Sequence, residues 1–236
     1  MLLTPPLIPA TLIKRYKRFL ADVTLSSGET ITVHTPNTGS MLGLSEPGMS
    51  VWLRDTQNPK RKYRYSWEMC EPTPKNYVGV HTGIVNQLVT EAIKEDCIPE
   101  LPADAAIQQE VRYGQEQSRI DLLLQQTDGV ACYIEIKNVT AKADEDTAIF
   151  PDAVTTCGQK HLRELMHVVE SGARAVIFFC VQRNDVNQFR AAHEIDPDYA
   201  ALLKRAVEQG VEVLAYKTLI SPSEISLVTP LPVRLS

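Results

Sequence analysis

The hydrophobic period of this chain changes once, and that change limits what it can fold into. Up to about residue 70 the apolar and β-branched residues come in short runs: Lys17–Leu25, Glu29–Thr35, Ser50–Asp55 and Arg61–Met69 are rich in Val, Ile, Thr, Tyr, Phe or Trp. Turn residues separate them, with Ser26-Ser27-Gly28 a hairpin connection and Asn37-Thr38-Gly39-Ser40 a loop. Several short strands in so little chain predict a small closed or nearly closed barrel, because closure removes exposed sheet edges. Glu71-Pro72-Thr73-Pro74-Lys75-Asn76 suits neither a continuing strand nor a helix start, which places a domain boundary there and divides the chain into 1–76 and 77–236.

Beyond that point the period becomes helical. Positions 84, 85, 88, 89, 92 and 93 form one apolar face of a helix over Ile84–Glu95. Three strands are expected next, at Ala106–Tyr113, Arg119–Gln125 and Ala131–Val139. A helix from about Thr156 to Glu170 ends before Gly172, and Arg174–Gln182 reads as a buried strand. Asp196-Pro197 supplies an N-cap and a first-turn proline for a helix through Gln209, closed by Gly210, and Val211–Lys217 reads as the last strand. The order predicts an α/β sheet entered through antiparallel strands and continued by right-handed parallel crossovers.

With 236 residues, 44% apolar and 22% charged, the chain has the composition of a globular protein with real cores. No apolar run reaches the length needed to cross a bilayer, and Met1–Pro6 has none of the charge-then-apolar order of a secretory signal. Cys70, Cys97, Cys132, Cys157 and Cys180 stand singly, which reads as reduced cytoplasmic thiols and not as a paired zinc site. The net charge of −5 conceals an asymmetry: residues 1–75 carry ten Lys+Arg and six Asp+Glu, the remainder fourteen and twenty-three. A basic front and an acidic back suggest two jobs, and a chance distribution is the competing explanation.

The chemistry-bearing pattern is Tyr133-Ile134-Glu135-Ile136-Lys137. On a strand, Glu135 and Lys137 share one face while Ile134 and Ile136 take the other. Asp121 sits on the preceding strand. If Thr127-Asp128-Gly129 is a three-residue hairpin loop with Gly129 left-handed, Gln126 faces Val130 and Asp121 falls opposite Glu135. A two-residue Asp-Gly loop would instead set Asp121 opposite Ile136 and break the cluster. Two carboxylates at such spacing repel unless a cation lies between them, and hard oxygen ligands suit Mg²⁺ or Mn²⁺. Asp121 and Glu135 are thus candidate metal ligands, and Asp121, Glu135 and Lys137 together a candidate phosphodiesterase centre, with Lys137 placed to steady a developing anion. By spacing alone, an exposed Glu/Lys pair on a solvated face is the plainer reading; the buried alternate positions argue against it.

Taken together, Phe19–Val23, Thr35–Met41, Ser66–Met69, Ser118–Asp121, Glu135–Thr140, Phe150–Thr155 and Lys160–Leu165 resemble the sugar fermentation stimulation protein A (SfsA) family over nearly the whole chain. The resemblance implies an N-terminal OB-fold barrel and a C-terminal restriction-endonuclease-like α/β domain of the PD-(D/E)xK type. It also implies DNA binding without sequence preference and a regulatory link to maltose metabolism. Asp121, Glu135 and Lys137 match that motif residue by residue, with Ile120 where the motif's name has proline. Two places depart from the family pattern. His81-Thr82-Gly83 stands where an Asn-Thr pair is expected, and Cys157-Gly158 where Arg-Gly is expected, which subtracts a positive charge close to the site.

Two segments interleave positive charge with aromatics: Lys14, Arg15, Lys17 and Arg18 around Tyr16, and Lys60, Arg61 and Lys62 before Tyr63. Such segments can track a nucleic-acid strand, with phosphates on the cations and bases on the rings, or can be a solvated barrel rim. Glu110, Glu91 or Glu95 could add an outer carboxylate, and Gln159, Lys160 and His161 could hold phosphate at the start of a helix; plain exposure competes for each. Ala143–Asp146 reads as a flexible acidic loop. Three functions follow: a DNA-binding protein that retains a metal-dependent, nuclease-type site, whether or not it cuts, a non-catalytic DNA-binding regulator, or a metal-dependent phosphodiesterase acting on RNA.

Overall fold

The computed structural model describes residues 1–116, 118–125 and 129–235. Its front portion contains β1 (Ile8–Tyr16), β2 (Leu20–Leu25), β3 (Thr30–His34), β4 (Ser50–Asp55), β5 (Tyr65–Thr73) and β6 (Asn76–Gly79). They form one sheet in the order β3-β2-β1-β4-β5-β6, and a parallel contact of His34 with Ser66 joins β3 to β5 and closes a five-strand barrel. Leu12, Val23, Val33, Val51, Leu53 and Trp67 fill it, with Met41 and Leu44 of the following loop plugging one end. The expected barrel is present, with three local corrections. Lys17–Phe19 are the turn of the β1–β2 hairpin instead of a strand start, with Lys17 and Arg18 at φ 50 and 65. Arg61–Arg64 belong to the loop before β5. Glu71–Asn76 is itself a hairpin: β5 runs to Thr73 and turns back into β6, the ladder shifting between Cys70 and Thr73 so that Pro72 forfeits no paired N–H. Strand β1 escaped the sequence reading because Pro5, Pro6 and Pro9 mask its alternation.

After a single 3₁₀ turn at Thr82–Ile84 come α1 (Val85–Lys94) and the expected strands β7 (Ala106–Tyr113), β8 (Ser118–Gln125) and β9 (Ala131–Val139). Then follow β10 (Ala141–Lys142), β11 (Thr147–Phe150), α2 (Thr156–Glu170), β12 (Arg174–Val181) and β13 (Gln188–Ala191). The last elements are α3 (Pro197–Glu208), β14 (Glu212–Ile220), β15 (Ile225–Pro230) and β16 (Val233–Arg234), so the chain continues in strands past Lys217. The main sheet has the order β15-β14-β12-β9-β8-β7; β9, β12 and β14 are parallel and the outer strands antiparallel. The short strands make a second sheet, β10-β11-β13-β16. Ala143–Asp146 is the β10–β11 turn, with Asp144 accepting from the N–H groups of Asp146 and Thr147.

Helix α1 packs Leu88, Val89 and Ile93 against Leu122, Ile134 and Phe178 on one face of the sheet. Helices α2 and α3 cover the other face through Leu162, Leu165, Tyr199 and Leu203. Each such leucine contributes about 2 kcal/mol by leaving water. The α2 N-cap is Thr155, whose hydroxyl accepts from Gly158 N at 3.0 Å, and the α3 N-cap is Asp196, accepting from Tyr199 N at 2.9 Å. Asp196 also accepts from Thr155 N at 2.8 Å, so one carboxylate sets both helix starts.

The barrel is bonded to the α/β portion at several points. Asp152, just ahead of α2, accepts from Ser40 Oγ at 2.8 Å and Met41 N at 3.2 Å. Thr82 Oγ1 donates to Pro36 O, and Gly79 N to Gln182 O, each at 2.8 Å. The buried Arg183 donates to both oxygens of Asp185 and to Thr140 O, while Lys142 also reaches Asp185. Burial pushes the Asp185 carboxyl up, but those cations outweigh it and hold it at about 2.

Candidate functional site

Residues 126–128, on which the loop reading rests, lie outside the described residues; Gly129 has φ 86, and the ladder on either side is plain. Gln125 pairs with Ala131 and Leu122 with Ile134, the register in which Asp121 falls opposite Glu135. There the two strands part. Among the described residues no β8–β9 pair forms beyond Leu122 and Ile134, and Ile136 N donates instead to Asp121 Oδ2 at 2.7 Å. Asp121 Oδ1 accepts from Asn86 of α1 at 3.0 Å. The Asp121 carboxylate therefore sits at the mouth of the fork between β8 and β9.

Glu135, 2% exposed, projects toward α2. Its Oε1 accepts from Lys137 Nζ at 2.7 Å and contacts His161 Nδ1, and Lys137 Nζ lies 2.9 Å from that same nitrogen. These three groups cannot all be satisfied by one set of protons: with a proton on Nδ1, His161 serves Glu135 but turns an N–H toward Lys137, and with Nδ1 bare it accepts from Lys137 but faces Glu135 with a lone pair. Glu135 Oε2 is buried with no hydrogen-bond partner. On the outer side, the exposed Cys157 Sγ lies 3.5 Å from His161 Nε2. Cys157 and His161 are four apart on α2, so one helical face delivers both.

The carboxyls titrate in opposite directions. Burial pushes Asp121 up to about 6, with the nearby charge of Glu135 adding to it and the Ile136 and Asn86 hydrogen bonds only partly opposing. Burial also pushes Glu135 up, but His161 and Lys137 more than compensate and hold it below the usual range. A divalent cation would relieve both an acid held unfavourably charged and an orphaned carboxylate oxygen, so Asp121 and Glu135 fit a metal. Among the described residues no group of three His, Cys, Asp or Glu is placed to ligate one. Two carboxylates with the remaining positions left to water or phosphate match the habits of Mg²⁺ and Mn²⁺.

The basic residues lie in and beside the β1–β2 turn and in the loop before β5, and do different things there. Arg15 donates to the carbonyls of Arg18, Asn37 and Gly39 at 2.7–2.9 Å, and Arg18 to Thr38 O, so these two hold the Asn37–Ser40 loop. Lys14 lies 3.6 Å from Asp22. Lys17, Lys60, Arg61 and Lys62 are exposed, and Arg61 and Lys62 line a cleft with His34 and Tyr63. Of the outer carboxylate candidates, Glu91 pairs with the N-terminal amine at 3.1 Å and Glu95 is exposed. Glu110 is exposed at φ 54, in the gap that the β7–β8 ladder leaves beside Asp121. Gln159 donates to Asp196, and Lys160 is half-buried. Asn86 and the inward turn of His161 were invisible to spacing, because 35 and 26 residues separate them from Asp121 and Glu135. The four-residue step from Cys157 to His161 was the only local signal.

No helix of the described residues is long and apolar enough to cross a membrane, and the five cysteines are unpaired. Residues 13–80 match the model of the SfsA N-terminal OB domain, and residues 83–224 that of the sugar fermentation stimulation protein RE domain. Sugar fermentation stimulation protein homologues of Shewanella baltica and Geobacter metallireducens are each 51% identical to the chain. The first match covers 98% of this chain and 99% of the relative, the second 100% of both. The solved structure of Pyrococcus furiosus SfsA in complex with Ca²⁺ is similar at a TM-score of 0.89 and 26% identity, covering 99% of this chain and 98% of that one. With both halves of the chain matched in order and half of all residues shared with full-length relatives, the chain belongs to the SfsA, or sugar fermentation stimulation protein, family.

Proposed function

We propose that this protein binds DNA without sequence preference and that its α/β portion hydrolyses phosphodiesters at Asp121, Glu135 and Lys137 with Mg²⁺ or Mn²⁺. The observation that carries the reading is the pairing of a buried Glu135, one oxygen orphaned, with an Asp121 whose carboxyl is pushed up to about 6 at an open strand fork. Most buried carboxylates are satisfied, and those kept in such tension cluster at catalytic and metal-holding sites. The solved P. furiosus relative holds a divalent ion, Ca²⁺, which supports cation binding here.

Asp121 and Glu135 would hold the ion, which supplies an acidified water and neutralises charge on a phosphate oxygen. Lys137, already hydrogen-bonded to Glu135, keeps a positive charge beside the reacting phosphate. His161 bridges Glu135 to Cys157 and can hold or pass on a proton at Nδ1. The exposed Lys17, Lys60, Arg61 and Lys62 supply contacts to the phosphate backbone, while the acidic remainder keeps affinity modest and salt-sensitive. Arg15 and Arg18, bound to carbonyls, shape that surface more than they face a ligand.

A second reading, a non-catalytic DNA-binding regulator, is favoured by Glu135 Oε1 being already shared between Lys137 and His161. It also suits the sugar-fermentation name carried by the relatives. Supercoiled DNA incubated with the protein and Mg²⁺ or Mn²⁺, beside Asp121→Ala and Glu135→Ala, separates the two. Nicking that both substitutions abolish supports hydrolysis. Binding without nicking supports the regulator, and nicking that survives both excludes this centre. A parallel arm with single-stranded RNA identifies the preferred strand.

A further inference from the structure

The β7–β8 end of the main sheet carries a feature that a stable fold has no use for. Arg112 and Arg119 stand directly opposite each other across the antiparallel ladder, both exposed. Like charges so placed repel, and the pair costs stability. Among the described residues neither guanidinium meets an acceptor or a carboxylate. By contrast Arg54, Arg64, Arg163, Arg174, Arg183 and Arg190 each hold an acid. Arg112 and Arg119 line a cleft of about 480 Å³ together with Tyr113, Gly114 and Ser118. The next pair along the ladder, Tyr113 and Ser118, turns its hydroxyls inward to the α2 face, so the arginines alone present polar groups to the opening. Two unpaired, exposed guanidiniums facing each other at the rim of one opening form a place for an anion.

The cleft is held in position relative to the site. Glu164 of α2, fully buried, accepts from Gln115 N at 3.0 Å and from Glu116 N, and Arg163 pairs with Glu116 at 3.1 Å. Gly114 at φ 73 lies so close to Glu164 that any side chain there would overlap its carboxylate. The end of the hairpin is thereby pinned to the helix that carries His161. Arg119 precedes Asp121 by two residues on β8, roughly 7 Å of strand.

We propose that Arg112 and Arg119 clamp a phosphodiester of the bound strand next to the one presented to Asp121 and Glu135. The proposal rests on the nucleic-acid reading above. A guanidinium offers a planar fork that matches two phosphate oxygens, and two facing forks suit one phosphate whose charge cancels their repulsion.

The test is fluorescence anisotropy of a labelled duplex of about 20 base pairs, and of a labelled single strand, titrated from about 50 to 200 mM salt in Ca²⁺. Arg112→Gln/Arg119→Gln is expected to weaken binding about tenfold and to flatten the salt dependence by about one phosphate, a slope change near 0.9 on the duplex. Arg112→Lys/Arg119→Lys should keep the slope while losing part of the affinity, because the fork is gone. In thermal melts without DNA the Gln pair should unfold no lower than the parent, since it removes a repulsion; a lower melting point would mark the arginines as structural and overturn the clamp. Unchanged affinity and slope in the Gln pair, with the parent binding and Lys60→Gln/Lys62→Gln weakened, would overturn the clamp alone. A parent protein that binds neither probe would overturn the nucleic-acid reading and the clamp with it.

Discussion

Two clusters of buried charge, built from similar side chains, behave in opposite ways. At the joint with the barrel, Arg183, Asp185 and Lys142 satisfy one another: both oxygens of Asp185 and three nitrogens of Arg183 are engaged, Thr140 O taking the last. At the fork between β8 and β9, Asp121, Glu135, Lys137 and His161 do not. One oxygen of Glu135 is orphaned, three groups crowd one proton arrangement, and Asp121 is held near 6 by burial. A completed network rigidifies, and an uncompleted one stores free energy that a ligand can release. The contrast separates a satisfied cluster from an unsatisfied one without reference to any relative.

The largest expected effect comes from breaking the completed cluster. Asp185→Ala leaves the buried Arg183 without its anion and should cost about 3–5 kcal/mol in denaturant unfolding. Because the Asp185 carboxyl is held at about 2, below its unfolded value of 3.8, its stabilisation is present above pH 3.8. It should disappear as pH falls toward 2, and the gap between Asp185→Asn and the parent should narrow over that window. The uncompleted cluster should respond with the opposite sign. Asp121 titrates near 6 when folded and 3.8 when unfolded, so its contribution is favourable below pH 3.8 and is lost as pH rises through 6. Asp121→Asn in chelator should therefore melt above the parent at pH 8, by up to about 3 kcal/mol, with the difference vanishing near pH 4. A parent equal to or more stable than Asp121→Asn at pH 8 would remove the distinction between the clusters.

Divalent ions should sharpen the comparison. At Mg²⁺ or Mn²⁺ about 100-fold above Kd the parent should gain about 2.7 kcal/mol, and Asp121→Asn and Glu135→Gln should gain little. The ion should do nothing for Asp185→Asn beyond the parental shift. The smallest effect is expected where the barrel meets the α/β portion. Asp152→Ala removes the acceptor for Ser40 Oγ and Met41 N and should cost about 1 kcal/mol, leaving the melting response to metal intact.

The sequence made the local parts of this contrast visible. Alternation put Glu135 and Lys137 on one face, a glycine at 129 gave the register that sets Asp121 beside Glu135, and Asp196-Pro197 and Thr155 marked helix starts that the structure keeps. It left the long-range parts dark. Nothing in the spacing says that Arg15 and Arg18 turn back onto carbonyls of the next loop, that Asn86 reaches Asp121, or that Glu164 grips the turn after Tyr113. Residues near Glu71–Asn76 looked like a break because proline opposes strands in general; at a shifted ladder position it does not. The partners that decide whether a charge is satisfied arrive from other elements, so a pattern within one strand can nominate a site but cannot tell a completed cluster from an uncompleted one.

Where the strands part, Asp121 stands in for a missing backbone rung by taking the amide of Ile136. One short side chain thus caps the end of the ladder and also offers a negative charge at the opening. Lengthening it by a methylene, as in Asp121→Glu, would force a choice between the two duties: the carboxylate could keep the amide and retreat from the opening, or keep the opening and unzip the rung. If the proposed centre is right, aspartate at this position answers to architecture and chemistry at once.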